Sequence, residues 1–521
     1  MAFGMTHLLI YLFVWLFFPL SACQEGQNAP LRRGQAVFPK REFRAFWIVT
    51  LDNKDFPSQP GLSTEMQKTE LRAILDFHQA RGMNAVIFQV RPSADAFYHS
   101  KIEPWSEWLM GRQGQAPQPF YDPLAFLVEE CHRRNMELHA WFNPYRVMYN
   151  KEVNDASAQP LLRQHPDWVL TYGKHQQLDP GRPEVRAHIL RVMMDVVRRY
   201  DIDGVQFDDY FYPYKIWKEE FPDERTYRQY GAGFGDKAAW RRHNVDLLVQ
   251  MVHDSLQAVK PHVKFGVSPI GVWRNRQDDP LGSATQVGQA SYDYLSADVR
   301  KWLEKGWIDY VAPQLYWSIG HPRADYETLV QWWSRNSFGK HLYIGQAYYK
   351  VNNDDDKRWF RLAELPDQLD LNRQSQAIQG SIFFRARFLM ENPRALSDTL
   401  HRRFYSYPAL IPPMPWKDAI PPAPPARLRK LRTPRHLQLR WEAPAPASDG
   451  QTASYYVVYR LEEGQDDHLQ KPECIVSIQK NTHFTDKIPP LPAKGRVYLI
   501  TAVDRLHNES EPVAMRVTFE E

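Results

Sequence analysis

Two adjacent carboxylates follow a short apolar run in the segment DIDGVQFDDYFYPY, residues 201–214. Asp208 and Asp209 stand directly after Val205 and Phe207, which have the alternation of a buried strand. A buried carboxyl group beside a second one keeps its proton to higher pH, so adjacent acids can divide acid and base roles. The pair is therefore a candidate for general acid–base or nucleophilic chemistry, with Asp208 predicted as the essential carboxylate.

The strand alternation treats the two acids differently. If Val205 and Phe207 face outward, then Gln206, Asp208 and Tyr210 face inward, and Asp209 starts on the opposite face. Two alternatives follow from this register. Either the strand ends at Phe207 and both acids reach the same cleft, or Asp209 is a structural anchor. In the second case the partner acid comes from another loop, which offers Asp95 or Asp52.

Eight short apolar runs alternate with amphipathic segments between residues 43 and 403. Strands that alternate with helices pair in parallel through right-handed crossovers. The pattern predicts an α/β fold, a (β/α)8 TIM-type barrel, with an open doubly wound sheet as the alternative. The runs are RAFWIVT (44–50), AVIFQV (85–90), ELHAWFN (137–143), GVQFDD (204–209), KFGVSP (264–269), DYVAPQLYW (309–317), LYIGQAYY (342–349) and GSIFFRAR (380–387).

Polar and aromatic residues cluster at the ends of these runs, where a β/α barrel places its reacting groups. Arginine and amide side chains bind hydroxyl and acetamido groups, and aromatic rings stack on the apolar faces of sugars. This composition predicts a glycan site at the C-terminal mouth of the barrel. The candidate substrate-binding residues are Arg91, Asp95, Asn143, Arg146, Tyr210, Trp273, Gln314, Tyr316 and Trp317.

Other chemistries have little support in the sequence. The histidines form neither H-x-H at a strand end nor H-E-x-x-H, so no metal site is predicted, and no cofactor is expected. G-x-S-x-G and G-x-G-x-x-G are both absent, which disfavours a serine nucleophile and a dinucleotide. The net charge is +4, from 65 basic and 61 acidic residues without long basic runs, so no nucleic-acid partner is expected.

The N-terminal segment 1–23 is predicted to be a lipoprotein signal peptide. HLLIYLFVWLFFPLSAC, residues 7–23, has an apolar run that is too short to span a membrane. Its end, Leu20-Ser21-Ala22-Cys23, resembles the lipobox of bacterial lipoproteins, in which the cysteine is acylated. An ordinary signal peptide is the alternative. The resemblance implies a cell-envelope protein that Cys23 anchors to a membrane, which we expect to be the outer membrane.

The chain beyond the barrel divides into a linker and a small domain. The predicted barrel covers 40–405, and the proline-rich segment 406–425 predicts a stiff linker. Residues 426–521 contain short alternating runs that predict an all-β sandwich. HLQLRWEA, SYYVVYR and YLITAVDRLHNES within it resemble a fibronectin type III module. We expect this domain to act as a spacer or as a dock for a protein partner.

Several segments of the barrel, in order, resemble bacterial glycosyl-hydrolase-like family ten. They include FRAFWIVTLDNKDFPS, VIFQVRPSADAFYHSKIEPWSEWLMG, LHAWFNPYRV, LDPGRPEVRAHI, DGVQFDDYFYP, GVSPIGVWRN and DVRKWLEKGWIDYVAPQLYW. The resemblance covers about residues 40–390. It implies a β/α-barrel glycosidase of the division-site lipoprotein type, whose enterobacterial member cleaves peptidoglycan strands stripped of their peptides. A fold hosts many chemistries, so a hydrolase of dietary or host polysaccharide and a non-catalytic glycan binder are the alternatives.

A second comparison concerns the mechanism. The fourth run is similar to the D-G-x-D-x-D-x-E motif of chitinase-type barrels, which places three acids on one inward face. In this register the chain has Asp203, Gln206, Asp208 and Tyr210, so a tyrosine stands at the position of the terminal acid. The comparison implies that Asp208 faces the substrate. It does not carry the substrate-assisted mechanism over to this chain.

Overall fold

The computed structural model describes residues 38–151, 160–464, 469–490 and 494–519. The predicted signal segment 1–23 and the predicted acylation residue Cys23 lie outside the described residues. Within the described ranges, no helix combines the length and the apolar character that crossing a membrane requires.

Eight parallel strands close into a barrel in the order in which they occur along the chain, and the last strand pairs with the first. Each strand overlaps one of the predicted apolar runs, so the predicted TIM-type barrel is confirmed. The strands are β1 Phe43–Ile48, β2 Ala85–Arg91, β3 Glu137–Phe142, β7 Gly204–Phe207, β8 Lys264–Val267, β9 Tyr310–Val311, β10 His341–Gln346 and β11 Ile378–Phe383.

Helices connect the strands and cover the outside of the barrel. Side-chain caps fix where several of them begin; for example, Asp122 accepts hydrogen bonds from the backbone N–H groups of Leu124 and Ala125. The helices are α1 Thr64–Gln79, α2 Glu107–Met110, α3 Pro123–Arg133, α4 Pro160–Gln164, α5 Pro183–Arg199, α6 Glu224–Tyr230, α7 Lys237–Val259, α8 Ser291–Tyr294, α9 Val299–Glu304, α10 Tyr326–Arg335, α11 Glu364–Gln374, α12 Ala386–Glu391 and α13 Leu396–Phe404.

Strand alternation divides the apolar residues into two cores. Val205 and Phe207 of β7 belong to the large core between the barrel and its helices. Trp47 of β1 and Trp141 of β3 belong to a separate core that fills the barrel interior. The inward row of each strand therefore rises to the C-terminal mouth, where polar residues replace apolar ones.

A small antiparallel sheet follows β3 on the mouth side of the barrel. It contains β4 Arg146–Met148, β5 Val169–Tyr172 and β6 His175–Leu178, in the order β4, β6 and β5. Because the loop between β3 and α5 is built around this sheet, it holds Arg146 at a defined place beside the mouth.

The proline-rich segment packs against the opposite end of the barrel. Ile411 and Met414 are buried in the interior core. The Trp416 indole donates a hydrogen bond of 3.0 Å to Asp309, and the Lys417 ammonium lies 2.8 Å from the same carboxylate. This segment closes the N-terminal end of the barrel, so the open end is the mouth.

The C-terminal region is a small all-β domain. One antiparallel sheet has the order β12 Ala426–Arg432, β13 His436–Glu442 and β16 His483–Lys487. The other sheet has the order β15 Ile475–Gln479, β14 Tyr455–Glu462, β17 Arg496–Val503 and β18 Val513–Val517. Residues of both sheets, such as Leu439 and Val458, form one buried core, so the two sheets pack face to face.

Buried ionic contacts join this domain to the closed end of the barrel. Glu137 at the start of β3 accepts a hydrogen bond of 2.5 Å from His507 of the C-terminal domain and another from Lys264 of β8. Lys264 and His507 together hold the pKa of the Glu137 carboxyl well below its ordinary value, against the opposing effect of burial. The β-domain therefore adds a buried hydrogen bond to a carboxylate that Lys264 of the barrel already pairs.

Candidate active site

A cavity of about 280 Å³ lies at the C-terminal mouth of the barrel. Its walls come from residues that follow or end the strands, so the barrel positions groups that are far apart in sequence. Asp208 and Asp209 form part of its surface, with Arg146, Gln314 and Tyr316 around them. The structure thus brings the two predicted catalytic acids to one cavity.

The structure selects the first of the two alternatives for the acid pair. β7 ends at Phe207, so the alternation stops before the acids and both side chains reach the cavity. Asp208 is half-buried, whereas only 2% of Asp209 is exposed. The expectation that Asp209 points to the opposite face is therefore corrected by the early end of the strand.

Hydrogen bonds hold the two carboxyl groups in place, and the two groups have different partners. Asp208 Oδ1 accepts from the Gln314 Nε2 at 3.1 Å and from the Asp209 backbone N–H at 2.9 Å. The Asp209 carboxyl is hydrogen-bonded to the Asp208 carboxyl and also accepts from the Tyr214 hydroxyl. A hydrogen bond between two carboxyl groups requires a proton on one of them.

Burial identifies the protonated member. Burial raises the pKa of the Asp209 carboxyl well above its ordinary value, and the charge of Asp208 raises that pKa further. The hydrogen bond from Tyr214 acts in the opposite direction. Asp209 therefore keeps a proton under conditions in which an exposed aspartate has lost it, and the half-buried Asp208 presents its carboxylate to the cavity.

Aromatic rings and a guanidinium group form the wall next to the pair. The Arg146 guanidinium carbon lies 4.4 Å from the centre of the Tyr210 ring, and its Nη1 is buried without a hydrogen-bond partner. Burial raises the pKa of the Tyr210 hydroxyl, so it stays protonated. Tyr316 packs edge-on to Tyr349 with ring centres 5.9 Å apart. This wall offers donors and flat apolar surface to one ligand.

Cationic groups gather around Tyr149 at the same mouth. The Lys54 ammonium lies 5.8 Å, the Arg146 guanidinium carbon 5.6 Å and the Lys174 ammonium 5.5 Å from the centre of its ring. Lys54, Arg146 and Tyr149 line the cavity itself. The side of the cavity next to Tyr149 is therefore electropositive, while the acid pair occupies another part of its surface.

Two predicted binding residues lie below the cavity surface. Arg91 is 1% exposed and makes two bonds to Glu103, at 2.7 and 2.5 Å, so its charge is already neutralised. Asn143 is fully buried and accepts a hydrogen bond of 3.1 Å from the indole of Trp141, which lines the cavity. These two residues position the cavity wall instead of contacting a ligand in the cavity.

Three more predicted residues are not among those that line the cavity. Asp95 is 1% exposed and accepts from the Ser93 N–H at 2.8 Å; burial raises its pKa to about 7. The Trp273 indole donates to Asp298 at 3.0 Å, which directs it away from solvent. Trp317 is half-buried and packs beside Gly271. Asp52, the other candidate partner acid, is exposed and 3.9 Å from Lys54.

The cavity also contains residues that were not predicted as binding residues. Gln89 is 1% exposed, and its Oε1 accepts from the Thr50 and Leu51 N–H groups at 2.9 Å each, which leaves Nε2 without a partner. The inward row of β2 is a signal that could have found it. Lys54, Tyr149 and Tyr214 lie in irregular loops, where no periodicity indicates their direction. In the described part of the chain, no group of three or more metal-binding side chains is present.

The chain is similar in sequence to known glycosyl hydrolases. Residues 42–361 match the family described as Glycosyl hydrolase-like 10. The chain is 47% identical over 482 residues to "Glycosyl hydrolase YngK" of Bacillus subtilis (strain 168), covering 90% of this chain and 92% of that protein. It is 42% identical over 387 residues to "Glycosyl hydrolase DigH" of Escherichia coli (strain K12), covering 70% and 87%.

Among solved structures, the PgaB (BpsB) glycoside hydrolase domain from Bordetella bronchiseptica aligns with a TM-score of 0.44 and 14% identity, covering 70% of this chain and 98% of that domain. The family match spans most of the barrel and includes the acid pair. The chain belongs to the Glycosyl hydrolase-like 10 family.

Proposed function

We propose that this glycosidase cleaves glycosidic bonds in peptidoglycan strands or in a related amino-sugar polymer, with Asp208 and Asp209 as its catalytic pair. The observation that carries the proposal is the hydrogen-bonded pair on the surface of the mouth cavity. The names of the two bacterial relatives, both glycosyl hydrolases, support the reaction class.

The short distance between the two carboxyl groups limits the mechanisms that they can use. Two acids that flank a scissile bond are usually about 5 Å or more apart, but hydrogen-bonded carboxyls are closer and lie on one side. Asp208 therefore faces the sugar and stabilises the positive charge that develops during cleavage. Asp209 keeps its proton and hydrogen-bonds to the Asp208 carboxylate.

The rest of the acid–base set comes from elsewhere. Of the described residues that line the cavity, Asp208 and Asp209 are the carboxylates. A group of the bound glycan or the protonated Tyr210 hydroxyl must then complete the set. An N-acetyl group on the sugar supplies the nucleophile in substrate-assisted hydrolysis, so the proton for the leaving oxygen then comes from the acid pair or from the Tyr210 hydroxyl. This requirement favours an amino-sugar polymer over a neutral polysaccharide.

The electropositive side of the cavity favours a glycan that carries carboxylates. Arg146 Nη1 is buried and unpartnered, and the Lys54 ammonium lies on the same side. A free carboxylate on the sugar, such as the lactyl group of muramic acid without its peptide, would give Arg146 a charge-assisted partner. A peptide on that group would remove the charge and add bulk.

Replacing Arg146 with methionine should raise KM for peptide-free strands about tenfold, because a charge-assisted hydrogen bond is lost. Strands whose carboxyl groups have been reduced to alcohols should show a smaller change. Steady-state kinetics on both substrates measure the difference. Lys305→Met is the matched control, since Lys305 is an exposed cation beyond the end of α9. An equal loss on both substrates would contradict the charge-based role.

The direct test is to incubate the purified protein with peptide-free glycan strands and to analyse the products by mass spectrometry. We expect shorter fragments from the wild-type protein and none from Asp208→Asn. The chemical form of the new ends distinguishes hydrolysis from a lytic reaction. Strands that stay intact, while a neutral polysaccharide is cut, would refute the proposed substrate.

The cellular setting is part of the proposal. An envelope location with a lipid on Cys23 is supported by the apolar run and the lipobox-like end of segment 1–23. The three-stranded and four-stranded sheets of the C-terminal domain support a fibronectin type III-like module, and its exposed surface is available to a protein partner. Cys23→Ala should release the protein from membranes, as fractionation of cells would show.

A further inference from the structure

Trp217 differs from the other tryptophans that the structure describes. Its side chain is 85% exposed, whereas the others are buried or half-buried. Tryptophan is among the most buried side chains on average, so a ring held in water needs an explanation. Trp217 lies in the loop between β7 and α6, the same loop that begins with the acid pair.

The loop holds Trp217 in this exposed position. The N–H of Ile216 donates to the Tyr172 hydroxyl at 2.7 Å, and that hydroxyl donates to the Glu219 carbonyl at 3.1 Å. The Ile216 side chain packs on Gly173, where an added Cβ would meet it at 2.5 Å. The neighbouring Lys218 has a φ of 62°, a conformation that non-glycine residues seldom adopt. The backbone on both sides of Trp217 is therefore anchored while its ring faces solvent.

The chain connects this ring to the cavity. Tyr214 lines the cavity, bonds to Asp209 and is 40% exposed, so it spans the edge between cavity and solvent. Three residues of chain separate the Cα atoms of Tyr214 and Trp217 by at most about 11 Å. A polymer bound at the acid pair reaches that far within a few sugar units.

We propose that Trp217 is a stacking platform for a sugar ring of the glycan at a distance from the cleaved bond, and that Tyr214 continues this aromatic surface into the cavity. The ligand is a pyranose unit of the polymer, because an indole face matches the apolar face of such a ring. This inference rests on the proposed function and adds to it a preference for long strands over short fragments.

The test compares long peptide-free strands with short fragments of the same glycan. Trp217→Ala should lower the ratio of kcat/KM on long strands to that on short fragments about tenfold, through KM. Trp217→Phe should recover most of the ratio because it keeps an aromatic face. Phe338→Ala is the control: Phe338 is 39% exposed in the turn between α10 and β10, at the closed end of the barrel.

Binding to long strands, measured in an Asp208→Asn background, separates this inference from the proposed function. Adding Trp217→Ala should weaken that binding about tenfold. Unchanged binding and an unchanged kinetic ratio would overturn the platform while leaving the glycosidase intact. A wild-type protein that cleaves no strands would refute the proposed function, and the binding comparison would still decide whether Trp217 holds a glycan. Trp217-dependent binding to lipid vesicles, without an effect on strands, would also overturn the platform.

Discussion

Replacing Asp208 with asparagine should lower kcat on glycan strands by about 10³-fold or more, because the variant loses the carboxylate that faces the sugar. The amide keeps the size of the side chain, and its oxygen still accepts from Gln314 and from the Asp209 N–H. The fold should therefore survive, and strand binding should change little. Single-turnover cleavage of labelled strands measures the loss apart from product release.

Asp52→Asn is a matched control for this result. Asp52 is exposed in the loop after β1, and its φ of 58° is one that asparagine adopts readily. Its substitution should leave kcat within about twofold of the wild-type value. A large loss with Asp52→Asn and a small one with Asp208→Asn would transfer the catalytic role to the loop after β1.

The barrel could be predicted because the alternation of apolar runs with amphipathic segments repeats along the chain. Each apolar run had to be a strand buried on both faces, and the amphipathic segments between them allowed parallel pairing only. The inward row of the fourth run followed from a period of two residues. That row correctly placed Gln206 and Asp208 toward the barrel interior.

The point at which a strand ends is harder to predict, and at the acid pair it decides the geometry. The alternation carries no information about the residue at which β7 stops pairing with its neighbours β3 and β8. Pairing ends at Phe207, and this single residue brings Asp209 from the opposite face to the cavity. The sequence is compatible with both alternatives, and only the tertiary pairing of β7 decides between them.

The sequence also does not show which polar residues near strand ends are available to a ligand. Arg91 and Arg146 have the same chemistry in sequence, but Glu103, in the loop after β2, folds back and neutralises Arg91. Among the residues that the structure describes, Arg146 has no ion-pair partner, and its buried Nη1 makes no hydrogen bond. An arginine is available to a ligand only where the fold has not already paired it, and that pairing depends on loop conformation.

The second large effect concerns the stability of the protein as well as its activity. Replacing Asp209 with asparagine should lower kcat by about 10² to 10⁴-fold. Asparagine cannot exchange the acidic proton that Asp209 holds next to Asp208. The introduced amide would still donate to Asp208 and accept from Tyr214, so the structure should be kept. Activity should therefore fall, while the thermal unfolding temperature of the same preparation should not fall.

The raised pKa of Asp209 determines how its contribution to stability changes with pH. Burial and Asp208 raise the pKa of Asp209 in the folded protein, so the folded state holds a proton that the unfolded chain releases above about pH 4. The contribution of Asp209 to the free energy of unfolding is therefore full below that pH and falls as the pH rises toward the folded pKa. Asparagine cannot ionise, so Asp209→Asn should lose less stability than the wild type as the pH rises above about 4.

Tyr214→Phe tests whether activity depends on the protonation of Asp209 or only on the presence of a polar side chain at that position. The Tyr214 hydroxyl lowers the pKa of Asp209 through its hydrogen bond, so its removal should raise that pKa further. If the pair works as a unit, the pH profile of kcat should then shift toward higher pH in Tyr214→Phe. A profile that shifts to lower pH, or wild-type stability and wild-type activity in Asp209→Asn, would show that Asp209 only anchors the loop and that Asp208 acts alone.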